Sequence, residues 1–560
     1  MNAHPELRAV DLELGALLRR LDPRTAPDVM LAAALASGAV ARGHAAFDPA
    51  RPQLALDDPS GLPDAATLDA ALRASRWVDV IDDGRAAAAD RPLVYERGLL
   101  YLRRYREYER RLAAGLRRLA VHRATSAPDP LLFARLFPDG HDPDQAEAVR
   151  RAFGQGLMLV TGGPGTGKTT TIARLLALQL HARHDLRIVL AAPTGRAAER
   201  MAESLRAARE RLRADGVEPA LVDALPVEAR TVHRLLGTIP DSPRFRHDAH
   251  HPLPYDLVVV DEASMVDLPL MCKLVEAIAD GAQLVLLGDR DQLPSVEAGD
   301  VLAAIVDAAE ASGELPRVHL RRGWRQADSL QLAPLAEAVR IGDADTALAL
   351  LREGLRGVRF HENLLDPLAG DGGEALLAPW RALMRLQDPA EALAQAGRQR
   401  VLTALRDGPQ GAVTLNARIE EALAGAQRER YFHGRLLLVT ENSYRHGLFN
   451  GDLGVCLRDG DGITAWFEGP AGPRGFHPGA LPAHMSAFAM TVHKAQGSEF
   501  ERVWLQLPRQ DARPLSRELV YTALTRARGE LHVAAAEPVL RAALARHAER
   551  VSGLAARLRG

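Results

Sequence analysis

The stretch Gly162-Gly163-Pro164-Gly165-Thr166-Gly167-Lys168-Thr169 decides the fold. It follows a short apolar run at 157–161 and opens an amphipathic stretch, so it predicts strand, glycine-rich loop and helix start. Glycines at these positions let successive backbone N–H groups close around a phosphate at the positive end of the helix. The lysine then reaches the β- and γ-phosphates, and the hydroxyl after it is a Mg²⁺ ligand. The nucleotide-binding residues expected here are Gly162, Gly163, Pro164, Gly165, Thr166, Gly167, Lys168, Thr169 and Thr170, with ATP and Mg²⁺ as the implied ligands.

Outward from this loop, at about 145–335, short apolar strands alternate with amphipathic helices: RIVLAAPTGRAAERMAESL, LVVVDEASMV and QLVLLGDRDQL follow in turn. That alternation predicts an α/β fold with a parallel sheet covered on both faces. The run Val258-Val259-Val260 would deliver Asp261 to the metal and Glu262 beside it, placed to polarise a water. On its own, such an acidic pair could equally be a solvated strand end. Gln292, after Gly288-Asp289-Arg290-Asp291, ends a third strand on the same edge, where its amide could sense a γ-phosphate. Ligands of open α/β sheets bind at the carboxyl ends of strands, so three such ends form one site.

Composition bounds the rest. A chain of 560 residues is too long for one core, so three or four domains are expected. A net charge of -2 excludes a basic field over the whole surface and leaves only a local groove for nucleic acid. Two cysteines, Cys272 and Cys456, are too few for a disulfide framework and fit a reducing compartment. The start carries Glu6, Arg8, Asp11 and Glu13 where a signal peptide needs an apolar run. The uncharged run at 29–41 is too short to span a membrane, so a cytoplasmic location is expected. Of 70 basic residues only Lys168, Lys273 and Lys494 are lysine. Two of them fall in motifs, where a compact ammonium has a use, and Lys273 is left as an accident.

Further motifs occur in order: Pro193-Thr194-Gly195-Arg196-Ala197-Ala198, Thr231-Val232-His233-Arg234-Leu235-Leu236-Gly237, Trp324-Arg325-Gln326, TVHKAQGSEF at 491–500 and YTALTRAR at 521–528. The set resembles superfamily-one helicases over about residues 145–528. Within that class VVVDEASMVD, LLGDRDQLPSVEAGDVL, LFNGDLG and TVHKAQGSEF resemble the RecD type. GHAAFD at 43–48 and PLVYERGLLYLRRYREYE at 92–109 resemble the domain that docks such subunits into the three-subunit exodeoxyribonuclease V.

The resemblance implies two RecA-like P-loop motor domains, a small SH3-like β-barrel insert and a mostly helical N-terminal domain. The expected division is 1–125 for docking, 126–335 for the first motor with a hairpin insert near 239–254, and 336–560 for the second with the barrel near 428–485. It implies that Gln145 reads adenine, that Arg325 and Arg526 reach the γ-phosphate, and that Gly497 and Glu499 lie near the nucleotide. Thr194, Thr231, His233 and His493 are implied to line a single-strand track, although a helix cap is the competing role for the threonines. Implied partners are single-stranded DNA, duplex ends, and RecB-like and RecC-like subunits in the bacterial cytoplasm, with 5′-to-3′ movement in double-strand break repair and recombination. A stand-alone RecD-like repair or conjugation helicase and a scaffold with a vestigial ATPase are the alternatives. The residues two before each lysine are Thr166, Met271 and Val492, so the acidic-x-lysine motif of a restriction-type nuclease is absent.

Three local readings complete the expectation. Tyr101, Tyr105, Tyr108, Leu112, Leu116 and Leu119 share a helical face that is either core or a partner-binding stripe. The Pro/Asp-containing stretch 127–144 reads as a linker, which makes residues 1–125 an assembly module dispensable for the chemistry. His247, His250 and His251 lack accompanying cysteines and read as a loop rather than a metal site.

Overall fold

The computed structural model describes residues 5–121, 127–138, 140–323, 329–443, 445–460, 462–469 and 472–560. Wholly buried runs such as Leu157–Gly162, Leu257–Val260 and Gln283–Gly288 form the centre of a six-stranded parallel sheet. Its order is Ala229–Thr231, Ile188–Ala192, Leu257–Val260, Gln283–Gly288, Leu157–Gly162, Arg317–Leu320. A second parallel sheet of five strands runs Val358–Glu362, Ala527–Ala535, Phe500–Gln506, Gln399–Thr403, Ala489–Thr491. Helices cover both sheets, as strands without a polar face require.

Between the helix Ala412–Ala424 and the strand Ala489–Thr491 lies a five-stranded antiparallel sheet with its own core of Leu437, Val439, Leu448, Cys456, Ala465 and Phe467. Its ladder is open: Arg474–Phe476 and His484–Ser486 are outer strands, and no pairing joins them among the described residues. The closure of the SH3-like barrel expected near 428–485 is therefore not seen in the pairing of the described residues.

The N-terminal region is helical apart from three strands, Val78–Val80, Leu93–Glu96 and Leu99–Leu102. The last two form the predicted hairpin, with Arg97 at φ 52° and Gly98 at φ 77° in its two-residue turn. Positive φ at both positions matches the twist of the flanking strands.

Of the two roles open to the tyrosine stripe the structure shows the core one, and the linker reading of 127–144 is corrected. The tyrosine stripe is core: Tyr108, Leu112, Leu116 and Leu119 on the helix Arg103–Ala120 share one cluster with Leu157, Val258 and Leu284 of the first motor sheet. Gly115 faces the helix Leu268–Ala277 so closely that a Cβ would stand 2.5 Å from Val275 Cγ1. The 127–144 stretch is not a bare linker. Asp129 accepts the amide of Leu132 at 2.7 Å and caps the helix Pro130–Leu136, whose Leu132 and Leu136 enter the opposite face of the motor core. Proline just inside a helix after an aspartate cap is a start signal, and the linker reading mistook it for a breaker.

Residues 238–252 form the expected loop, with one antiparallel bridge, Thr238 to Phe245. No group of three or more His, Cys, Asp or Glu that could hold a metal occurs among the described residues. No helix among them is long and apolar enough to cross a membrane.

Candidate active site

The strand Leu157–Gly162 ends in the loop and the helix Lys168–Ala182 starts at its lysine. Gly165 at φ 78° and Gly167 at φ 85° take left-handed backbone that a Cβ would strain. Lys168 Nζ donates to the carbonyls of Gly162 at 2.7 Å and Gly163 at 3.1 Å, so the ammonium is held inside the loop by groups a phosphate can replace. Gln145, 2 % exposed on the helix Pro143–Ala152, donates to the Thr166 carbonyl at 3.2 Å and accepts from Arg174 at 3.2 Å. Its carboxamide thus braces the P-loop, and pairing with a base would exchange these partners.

Asp261 and Glu262 follow the buried strand Leu257–Val260. Burial, then the neighbouring Glu262 carboxylate, push the Asp261 carboxyl up to about 6, with Lys168 opposing. Glu262 is left-handed at φ 51° and ψ 42°, and its amide donates to Asp261 Oδ1 at 2.8 Å. A glutamate in that region costs about 1–2 kcal/mol, and such strain concentrates where a side chain must be aimed.

The second motor closes the site. Arg526 is 1 % exposed and donates at 3.1 Å from Nε to Thr522 O, from Nη1 to Ser498 O and from Nη2 to Gln292 Oε1. A cavity of about 270 Å³ is lined by Lys168, Thr169, Asp261, Glu262, Gln292 and Arg526 together. It adjoins a larger one of about 1340 Å³ along Gly163–Thr166. The geometry therefore brings one set of expected residues into a single cavity walled by both motors.

Sequence reasoning missed a clamp across the same cleft. Arg200 donates to Gly497 O at 2.7 Å and pairs with Glu499, whose other oxygen accepts from Arg528 Nε at 2.7 Å. Nothing in the local pattern around Arg200 marks it, since its partners are some 300 residues away. Tyr521 and Asp289, quoted inside motifs but given no role, also meet here.

Thr194 follows one strand and Thr231 ends its neighbour, and both cap helices, accepting the amides of Ala197 and Arg234 at 3.2 Å each. His233 lies against Phe245, ring centroids 5.9 Å apart, and His493 lies in the short helix Val492–Ala495 after a strand of the second sheet. Burial lowers the pKa of both imidazoles. Lys273 has a role after all: it sits over the Phe245 ring and donates to Pro243 O at 2.9 Å, pinning the loop beside His233. Arg325, with Trp324 and Gln326, lies outside the described residues.

Two RecA-like units, a P-loop, an acidic strand end and an arginine from the opposite unit define a P-loop ATPase motor of the helicase class. Family models match as an AAA domain at 145–298, a UvrD-like helicase C-terminal domain at 486–534 and the RecBCD enzyme subunit RecD N-terminal domain at 3–101. RecBCD enzyme subunit RecD of Mycobacterium tuberculosis strain H37Rv is 42% identical over 95% of this chain and 91% of its own length. The Haemophilus influenzae subunit is 33% identical over 83% of this chain and 80% of its own. The ATP-dependent RecD2 DNA helicase of Deinococcus radiodurans is 33% identical over 84% of this chain and 59% of its own. The chain belongs to the RecD family.

Proposed function

We propose that this chain is an ATP-dependent DNA helicase, the RecD subunit of a RecBCD-type helicase-nuclease, moving 5′ to 3′ on single-stranded DNA in bacterial break repair and recombination. The observation that carries this is the cavity holding Lys168, Asp261 and Glu262 from one motor with Arg526 from the other. In that cavity Lys168 leaves its carbonyl partners to neutralise the transferring phosphate, and Glu262 takes the proton of the attacking water. Arg526 adds charge as it develops, and only while the two motors are together.

Mg²⁺ would be held by the Thr169 hydroxyl and Asp261. The few acidic groups present suit an ion that keeps waters and phosphate oxygens, and when bound it neutralises phosphate charge. The resemblance gives Thr194, Thr231, His233 and His493 to the DNA track, Gln145 to adenine, and Arg325 to the γ-phosphate beside Arg526. The Arg200 clamp on Gly497 and Glu499 supports coupling between cleft and track, because Gly497 backs onto Thr194.

We read three units near 1–125, 126–335 and 336–560, with the helix Arg103–Ala120 packed as part of the first motor. Membership of the family supports RecB-like and RecC-like partners, duplex ends and a cytoplasmic setting. The match of residues 3–101 to the RecD N-terminal domain favours the subunit over the stand-alone reading. With the tyrosine stripe buried, a partner surface in this region is better sought on the helix Ala9–Leu21, where Val10, Leu17 and Leu21 are 62%, 42% and 63% exposed on one face.

Strand displacement on duplexes with 5′ or 3′ tails, with and without the partner subunits, tests the proposal. Unwinding of 5′-tailed duplex is expected, and activity confined to 3′ tails would overturn the polarity.

A further inference from the structure

Residues 289–293 of the first motor are wedged into the second. Tyr521 Oη donates to Asp289 Oδ2 at 3.1 Å, Arg526 Nη2 to Gln292 Oε1 at 3.1 Å, the Leu293 amide to Thr522 Oγ1 at 2.8 Å, and Gln496 Nε2 to Leu293 O at 2.9 Å. Asp289, Gln292, Tyr521 and Arg526 are 2%, 5%, 5% and 1% exposed.

The chemistry of these groups fixes the direction of every bond. A guanidinium only donates and a carboxylate only accepts, so the Gln292 amide between them has one allowed orientation. Its Nε2 donates to Asp289 Oδ2 at 3.2 Å, leaving Oε1 for Arg526. Asp289 is in turn held by the Asp291 amide at 3.1 Å on Oδ1 and by the Tyr521 hydroxyl. The Tyr521 donor comes from the helix Arg517–Leu524, just before Arg526 itself. The chain Tyr521, Asp289, Gln292, Arg526 thus leaves the second motor, crosses the first and returns.

We propose that Tyr521 and Asp289 are positioning residues. They hold the Gln292 carboxamide, and through it the Arg526 guanidinium, in the orientation that hydrolysis needs, and they do so only when the second motor is seated on the P-loop side of the first. Tyr521 is well placed to report seating, since a Cβ on P-loop Gly163 would come within 3.0 Å of its hydroxyl. Without that hydroxyl, Asp289 loses a donor and can turn. With asparagine at 289, the new amide can donate to Gln292 Oε1, flipping Gln292 so that its NH₂ faces Arg526. The inference rests on the role proposed for Arg526 and on the γ-phosphate-sensing role expected of Gln292.

The test is DNA-stimulated ATPase of the full chain in its complex, with oligo(dT) as activator, for Tyr521→Phe, Asp289→Asn and the double variant. Tyr521→Phe keeps the ring and Asp289→Asn keeps the shape, so thermal unfolding within a few degrees of the parent is expected. We expect kcat to fall about tenfold or more in each, with KM for ATP and affinity for a fluorescent ADP analogue within about twofold. The double variant should be no worse than the poorer single one, because both act through Gln292. Unchanged kcat in both single variants overturns the inference, as does a KM rising in step with the loss or losses that multiply. Arg526→Ala runs alongside: full activity there sinks the site assignment itself, whereas its loss with active Tyr521→Phe and Asp289→Asn sinks only the positioning role.

Discussion

Arg557 Nε donates to Glu109 Oε2 at 3.1 Å inside the molecule, although 448 residues separate the two. The other Glu109 oxygen takes the Ser552 hydroxyl at 2.7 Å and the Gly553 amide at 3.0 Å. Arg557 also pairs with Glu96, which Arg106 holds at 2.9 Å. The end of the chain is thereby fastened to the N-terminal hairpin and to the helix that covers the first motor. Burial alone would raise the Glu96 carboxyl, yet the two guanidiniums outweigh it and bring it to about 2.

Arg557→Ala is expected to destabilise the chain by about 3 kcal/mol, because it leaves buried carboxylates short of a partner. Denaturant unfolding at neutral pH measures it, and a change below about 1 kcal/mol would show the network to be incidental.

Deletion of residues 1–126 is expected to yield insoluble or strongly destabilised protein rather than a working motor. The cut removes Leu112, Leu116 and Leu119 from the core shared with the motor sheet, at about 1.5–3 kcal/mol for each buried leucine. Soluble truncated protein with parental ATPase would restore the view that this region serves assembly alone.

Acid should loosen the C-terminal segment before it unfolds the motors. His44 Nε2 donates to Leu54 O at 3.0 Å, which leaves Nδ1 to accept the Val551 amide at 3.0 Å. Burial, then the charge of Arg550, lower this imidazole from 6.5 to about 4. A histidine with a lowered folded pKa contributes stability that is whole above 6.5 and is lost as pH falls toward 4, on the order of 3 kcal/mol in all. Hydrogen exchange at Val551 should speed up over that window in the parent but not in His44→Gln.

Lys168→Ala is expected to abolish hydrolysis with thermal stability unchanged, since its ammonium touches only loop carbonyls. Glu262→Gln should bind ATP and turn over very slowly. Glu262→Gly should be equally inactive but more stable by up to about 1 kcal/mol, because glycine takes positive φ without strain. Lower stability in the glycine variant would show that the side chain outweighs the strain.

Replacing Val10, Leu17 and Leu21 by glutamate should leave the ATPase intact and prevent co-purification with the partner subunits. Assembly that survives would move the docking surface elsewhere on the chain.

The sequence by itself determined the P-loop, the acidic strand end and the place of Gln292 on the same sheet edge, because each follows a short apolar strand whose end sets its position, whereas Arg526 was legible only through the resemblance of its motif. It also determined the hairpin at 93–102 and the parallel character of the first sheet, which follow from local turn chemistry and from strands without a polar face. Tertiary structure alone decided that the tyrosine stripe is core, since an amphipathic helix does not say which surface covers it. It alone joined Arg200 to Glu499, Tyr521 to Asp289 and Arg557 to Glu109. Those partners are set by how separate sheets and chain ends stack, and no periodicity or spacing encodes a contact across hundreds of residues.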